Sequence, residues 1–121
     1  EENIRRISEV AKLFLDAGII VLTAFVSPFR ADRLRARQLV KESDFVEIYC
    51  AANLQVCEER DTKGLYAKAR TGKIKDFTGI SSPYEEPENP ELRIDTGLNN
   101  LQDCVNEVLT YLVSKELIPD L

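Results

Sequence analysis

Eight consecutive residues, Ile19 to Val26 (IIVLTAFV), carry no charge, are apolar on both alternating faces and are rich in β-branched side chains. Such a run predicts a strand buried on both sides, as in a parallel sheet. Ser27 and Pro28 end it, where a strand hands over to a loop. In open parallel sheets ligands sit beyond the carboxyl ends of the strands, so Ser27 and Phe29 occupy a favourable place.

The remaining periodicities alternate around that run. Glu1 to Asp16 reads as a helix, with Ile4, Ile7, Val10, Ala11 and Phe14 at three- and four-residue steps and Gly18 as its stop. Asp32 to Lys41 reads as a second helix with Leu34 and Leu39 on its apolar side. Arg30, Arg33, Arg35 and Arg37 surround it and are expected to be mostly solvated. Phe45 to Cys50 is a short strand, and Asn53 caps a helix over Leu54 to Arg60. Gly64 to Thr71 is another helical piece closed by Gly72, and Lys73 to Ile80 is irregular. Ser81 to Glu91, with its prolines and glutamates, must be a surface loop. Leu92 to Thr96 is a third strand. Asn99 and Gln102 form a capping pair for a last helix that turns Leu101, Val105, Val108, Leu109 and Leu112 to the core. The order is that of an α/β fold with a mainly parallel sheet. Three strands fall short of the roughly five of a stable doubly wound sheet. The chain also opens directly inside a helix, so it is expected to be part of a larger domain.

Between Arg60 and Lys75 lie Arg60, Lys63, Lys68, Arg70, Lys73 and Lys75, six of the sixteen basic residues in a chain of net charge −5. Gly64, Gly72 and Gly79 punctuate the stretch, and Tyr66 and Phe77 are interleaved with the cations. Cations for one anionic ligand, glycines that let a segment swing and an aromatic face for a base suit a nucleotide lid over residues 60–80. The plainer reading is a solvated basic helix with ordinary turn glycines. Overall acidity argues against general nucleic-acid binding. No apolar run approaches the ~18 residues of a membrane span. With no histidine, Ser-His and Cys-His catalysis and a His-containing zinc site are excluded. Cys50, Cys57 and Cys104 form no CxxC pair and read as reduced thiols in a cytosolic core.

ENIRR (Glu2 to Arg6), the FVSP run end (Phe25 to Pro28), CEERDTKGLY (Cys57 to Tyr66) and KARTGKIKDFTGI (Lys68 to Ile80), in this order, strongly resemble adenylylsulfate (APS) kinase. The resemblance extends through PYEEPENPEL to the terminal helix. It implies a P-loop kinase-type three-layer α/β fold, of which residues 1–121 would be the C-terminal portion of a single domain. It also implies a cytoplasmic enzyme of sulfate assimilation, transferring the ATP γ-phosphate to the 3′-hydroxyl of adenosine 5′-phosphosulfate to give 3′-phosphoadenylyl sulfate (PAPS). The family's GxxxxGKT phosphate loop and DGDN motif are absent. That loop cradles the ATP phosphates and helps hold Mg²⁺, so the chain alone is expected not to turn over, and the main Mg²⁺ ligands are expected outside it.

The resemblance implies that Glu2, Asn3, Arg6, Val26, Ser27, Lys63, Asp76 and Phe77 bind adenylyl sulfate, Phe77 by stacking on adenine. Asp76 stands where the family commonly has glycine. Lys63 would neutralise charge developing between the two nucleotides. Ser27 matches a serine assigned as a phosphoserine intermediate in bacterial members. No base is evident beside it in the sequence, and in-line transfer needs no covalent step. Arg60 and Arg70 would serve the ATP side, or pair with Glu58, Glu59 or Asp61. A homodimer, and fusion to or association with ATP sulfurylase, are further family expectations. The alternative is an APS-kinase-like regulatory domain of an ATP sulfurylase that binds PAPS allosterically. Another P-loop nucleoside or shikimate-type kinase is disfavoured by the paired ENIRR and FVSP motifs.

Overall fold

The first helix, α1 (Glu2–Asp16), ends where its periodicity does. Gly18 adopts φ +81°, its N–H donates to the Leu15 carbonyl at 2.8 Å, and the Ile19 N–H reaches back to Phe14 at 3.1 Å. This is the paired closure of a Schellman motif, in which a left-handed residue lets two otherwise orphaned carbonyls accept bonds. The same closure recurs at Gly72, with Gly72 donating to Ala69 and Lys73 to Lys68, both at 3.0 Å. The computed structural model describes residues 2–120. Glu1, expected to open the first helix, lies outside them.

The elements that follow are α2 (Arg30–Gln38), a single 3₁₀ turn (Glu42–Asp44), β1 (Ile48–Ala51), α3 (Leu54–Glu59), α4 (Leu65–Arg70), β2 (Leu92–Asp95) and α5 (Leu101–Ser114). β1 and β2 pair in parallel, with Ile48 opposite Leu92 and Ala51 opposite Asp95. The expected α/β class with a parallel sheet is therefore present, and α1 packs on α2 while α5 lies against β2. Ala51, Ala69, Ile94 and Cys104 are the buried apolar residues among those described.

Several expectations change. The strand over Ile19 to Val26 does not form: among the described residues the sheet has two strands, and no ladder includes residues 19–26. A strand buried on both faces needs neighbours on both edges and layers on both sides, and the described residues supply neither. Leu22 is 86% exposed, and Ile19, Ile20, Phe25 and Val26 also face solvent. The outer part of the expected core is likewise uncovered, with Val10, Phe14, Leu34, Leu101 and Val105 exposed. The last helix is capped by Asn100 rather than Asn99: Asn100 Oδ1 accepts from the Asp103 N–H at 3.0 Å. Asn99 is used by the turn after β2, donating its own N–H to the Asp95 carbonyl at 3.0 Å. Asn53 caps α3 as expected, accepting from Val56 at 2.8 Å. All three cysteines are free thiols, but only Cys104 is buried and Cys50 is exposed. No helix among the described residues is long and apolar enough to cross a membrane.

Candidate functional site

The corner after the apolar run is built by α2. Phe29 is the N-cap residue of α2 and has no capping side chain, so a distant carboxylate serves instead: the Arg30 N–H donates to Glu85 Oε2 at 2.8 Å. The Glu85 N–H in turn donates to the Pro28 carbonyl at 2.8 Å, and Arg30 Nε to the Glu86 carbonyl at 2.7 Å. A carboxylate at a helix N-terminus satisfies an orphan donor and opposes the positive end of the helix dipole. The acidic loop is thus a strap laid along residues 27–30.

Of the arginines expected to be mostly solvated, Arg35 is exposed, as is Arg30, which still bonds to the strap, whereas Arg33 and Arg37 are partly buried and fasten it. The Arg33 side chain is only 12% exposed. Its Nη1 donates to the Ser27 carbonyl and its Nη2 to the Glu85 carbonyl, both at 2.5 Å, while Nε faces Glu47 Oε1 at 3.0 Å. Its guanidinium also lies 5.8 Å from the Tyr84 ring centroid. Arg37 bridges Glu47 and Glu91 and sits 4.7 Å over the Phe45 ring. Burial alone would raise the Glu91 carboxyl, but the Arg37 guanidinium and the Glu47 N–H bonded to it hold it below the ordinary carboxylate value. Sequence signals for these roles are lacking, because an arginine flanked by polar residues on a helix reads as surface until the loop folds over it. Ser27 Oγ is shielded and makes no hydrogen bond to the described residues.

The lid region folds against α3. Asp61 organises it, accepting from the Tyr66 N–H at 3.1 Å and the Ala67 N–H at 3.0 Å, and these backbone donors lower its carboxyl below the usual range. An aspartate just upstream of a glycine-led helix could have signalled this cap. Tyr66 and Phe77 meet edge to face at 5.0 Å, which brings the two expected aromatic residues of the lid together. Phe77 is half-buried; its carbonyl accepts from Ile80, Ser81 and Ser82, and its N–H donates to Ser81 Oγ. Asp76, beside it, holds φ +53°, a left-handed conformation that favours glycine, the residue the resemblance led one to expect there. Lys63, Lys73 and Lys75 enter no ion pair among the described residues. Arg70 pairs with Glu58, and Arg60 donates to the Thr96 and Gly97 carbonyls at 2.7 and 3.2 Å.

On α1 the Glu2 carboxylate accepts from Arg5 and from Arg6 Nε, contacts of 2.8–2.9 Å that hold its pKa at about 2. Arg6 therefore pairs with its acidic neighbour, while Asn3 is exposed. Among the described residues no hydrogen bond or ion pair joins Glu2, Asn3 or Arg6 to Ser27 or to the lid. Val26 is exposed beside Ser27. No group of three or more carboxylate or thiol side chains converges on a point where a metal could sit among the described residues.

Comparison with known proteins bears on the fold and the family. A family model described as Adenylylsulphate kinase matches residues 1–95. The adenylyl-sulfate kinase of Prochlorococcus marinus is 75% identical over 118 residues, covering 98% of this chain and 59% of its own length. That of Bacillus licheniformis is 60% identical over 112 residues, covering 93% of this chain and 57% of its own length. The chain thus spans somewhat under two thirds of the curated relatives it matches. A solved structure of the Mycobacterium tuberculosis APS kinase, in complex with AMPPNP and APS, superposes with a TM-score of 0.86 at 46% identity, covering 92% of this chain and 65% of that one. The two-stranded parallel sheet and its helices are therefore part of the P-loop kinase fold of these enzymes, and the chain belongs to the adenylylsulphate kinase family.

Proposed function

We propose that this chain carries the acceptor-nucleotide side of an APS kinase, the enzyme that moves the ATP γ-phosphoryl group to the 3′-hydroxyl of adenosine 5′-phosphosulfate and releases ADP and PAPS. The observation that carries the reading is the contrast between the two basic regions. The α2 guanidiniums of Arg33 and Arg37 are consumed by carboxylates and carbonyls, whereas the lid ammoniums of Lys63, Lys73 and Lys75 pair with no carboxylate among the described residues. In the same stretch of chain the half-buried Phe77 ring packs edge to face with Tyr66. Cations free of carboxylate partners and an aromatic ring in one segment suit a phosphosulfate joined to an adenine.

In this reading Phe77 stacks on the adenine, Lys63 neutralises the phosphosulfate or the charge passing between the nucleotides, and Val26 and Ser27 line the acceptor from the end of the apolar run. Asp76 sets the backbone turn that aims Phe77. Asn3 is the α1 contact, with Glu2 orienting Arg6. Ser27 acts as a contact rather than a nucleophile, since its hydroxyl is shielded and makes no hydrogen bond to a base. Arg60 and Arg70 reach the ATP side only by releasing their present partners, which for the exposed Arg70–Glu58 pair costs about 0–1 kcal/mol. No GxxxxGK[ST] run occurs in the 121 residues. Phosphoryl transfer depends on positioning and charge neutralisation by such a loop, so these residues by themselves bind the acceptor without turning it over. As in the family expectation, the setting is a cytoplasmic homodimer, alone or joined to ATP sulfurylase, with ATP·Mg²⁺ as donor.

Calorimetric titration with adenylyl sulfate, and separately with ATP·Mg²⁺, tests this. Adenylyl sulfate is expected to bind and to lose about 1–3 kcal/mol in Phe77→Ala, the usual worth of one stacked base. ATP·Mg²⁺ is expected to give no heat of binding. Tight ATP·Mg²⁺ binding, or an unchanged Phe77→Ala titration, overturns the reading.

A further inference from the structure

We propose that Arg33 is a positioning residue for the acceptor site: it locks the Ser27–Pro28 peptide to the 84–86 strap, and so fixes where the end of the apolar run presents itself to adenylyl sulfate. The inference rests on the functional reading above and adds to it a residue outside the expected contact set.

Two hydrogen-bond acceptors and one ion-pair partner, from three separate stretches, converge on this one guanidinium. They are the Ser27 carbonyl at 2.5 Å, the Glu85 carbonyl at 2.5 Å and Glu47 Oε1 at 3.0 Å, the last just ahead of β1. A planar fork of five fixed donors can serve acceptors in several directions at once, which a lysine ammonium on a flexible stem cannot. The Ser27 carbonyl is a consequential atom to hold. It belongs to the peptide preceding Pro28, whose ring already fixes the next φ and restricts the backbone of Ser27 itself. With the carbonyl pinned, the direction of the Ser27 side chain and the placement of Val26 are both set. The Pro28 carbonyl receives the Glu85 N–H at 2.8 Å, so the strap holds the peptide on its other side.

Burial distinguishes this contact from an ordinary surface ion pair. The Arg33 and Glu47 side chains are 12% and 18% exposed, and the Tyr84 ring lies 5.8 Å from the guanidinium. Glu47 also faces Arg37 Nη2 at 3.3 Å, which secures the carboxylate without touching Ser27 or Glu85. Arg37 is therefore a natural control: it belongs to the same cluster and contributes to stability, yet it makes no contact with the peptide that Arg33 holds.

The test compares the wild-type chain with Arg33→Gln, Arg33→Lys and Arg37→Gln, each checked by circular dichroism to be folded at the temperature used. Amide hydrogen exchange of Arg30 and Glu85 is read alongside adenylyl sulfate affinity. Both Arg33 variants should speed exchange at those amides and weaken adenylyl sulfate binding by roughly tenfold or more. Arg37→Gln should lower the unfolding midpoint and leave the affinity within about twofold. Equal affinity in wild type and Arg33→Gln overturns the positioning role, as does an equal loss in Arg37→Gln, which would mark a general loosening. Absence of adenylyl sulfate binding by the wild-type chain overturns the functional reading and this proposal together. If Arg33→Gln does not fold, Arg33→Lys, which keeps the charge and loses the fork, decides.

Discussion

Arg37 grips the Glu91 carboxylate with both terminal nitrogens, Nη1 to Oε1 at 2.6 Å and Nη2 to Oε2 at 2.8 Å, and so ties α2 to the residue immediately before β2. The same carboxylate accepts the Glu47 N–H at 2.6 Å, next to the start of β1. One bidentate, half-buried pair therefore joins the helix layer to both strands of the sheet, where the described apolar core is small.

Removing Glu91 should cost more than an exposed ion pair would. Glu91→Ala leaves Arg37 and the Glu47 N–H without their acceptor, and hydrogen bonds to charged groups contribute about 1.5–3 kcal/mol each. A drop of roughly 2 kcal/mol in unfolding free energy is expected from denaturant titration. A loss below about 0.5 kcal/mol, typical of surface pairs, would contradict the anchoring role.

The same pair makes stability pH-dependent in acid. The folded-state pKa of Glu91 is lowered, so its contribution is fully present above the unfolded carboxylate value of about 4.3 and is lost as pH falls through the lower folded value. Denaturation midpoints should therefore decline below pH ~4. The decline should be shallower in Arg37→Gln, because that variant removes the charge that lowers the pKa.

The last helix ends on a strained residue. Glu116 occupies the left-handed position of a Schellman closure at φ +56°, with Glu116 and Leu117 donating to Val113 and Leu112, each at 2.9 Å. Left-handed backbone costs a non-glycine residue about 1–2 kcal/mol, partly offset by the entropy glycine loses on folding. Glu116→Gly should raise stability by roughly 0.5–1 kcal/mol, and Asp76→Gly, at φ +53°, should act in the same direction. A fall in melting temperature in either variant would contradict this.

Neighbouring asparagines should behave differently. Asn100→Ala removes the cap of α5 and should cost about 1 kcal/mol, whereas Asn99→Ala removes no side-chain bond seen in the structure and should be close to neutral. Paired thermal melts of the two variants settle which residue opens the helix.

The exposed apolar run should make the chain associate. Leu22, at 86% exposure, stands among exposed Ile19, Ile20, Phe25 and Val26, a patch of the kind that marks a contact surface. Sedimentation velocity is expected to show self-association that rises with concentration and recedes in Leu22→Lys. An ideal monomer at every concentration would oppose this.

Local physics made much of this protein legible in its sequence. Helix periodicity, the stop at Gly18, the Asn53 cap and the irregular stretch before the prolines follow from interactions within a few residues, and the alternation of elements pointed to a parallel α/β order. The linked ENIRR, FVSP and FTGI motifs named the family. What the tertiary structure decided were the long-range partners. Arg33 and Arg37 look like surface side chains until a strap more than fifty residues away in sequence folds over them. Asn99 looks like a cap until the turn after β2 claims its backbone. Ile19 to Val26 has every intrinsic property of a buried strand, yet a strand exists only through hydrogen bonds to a neighbour, and no composition or periodicity within the run can supply one.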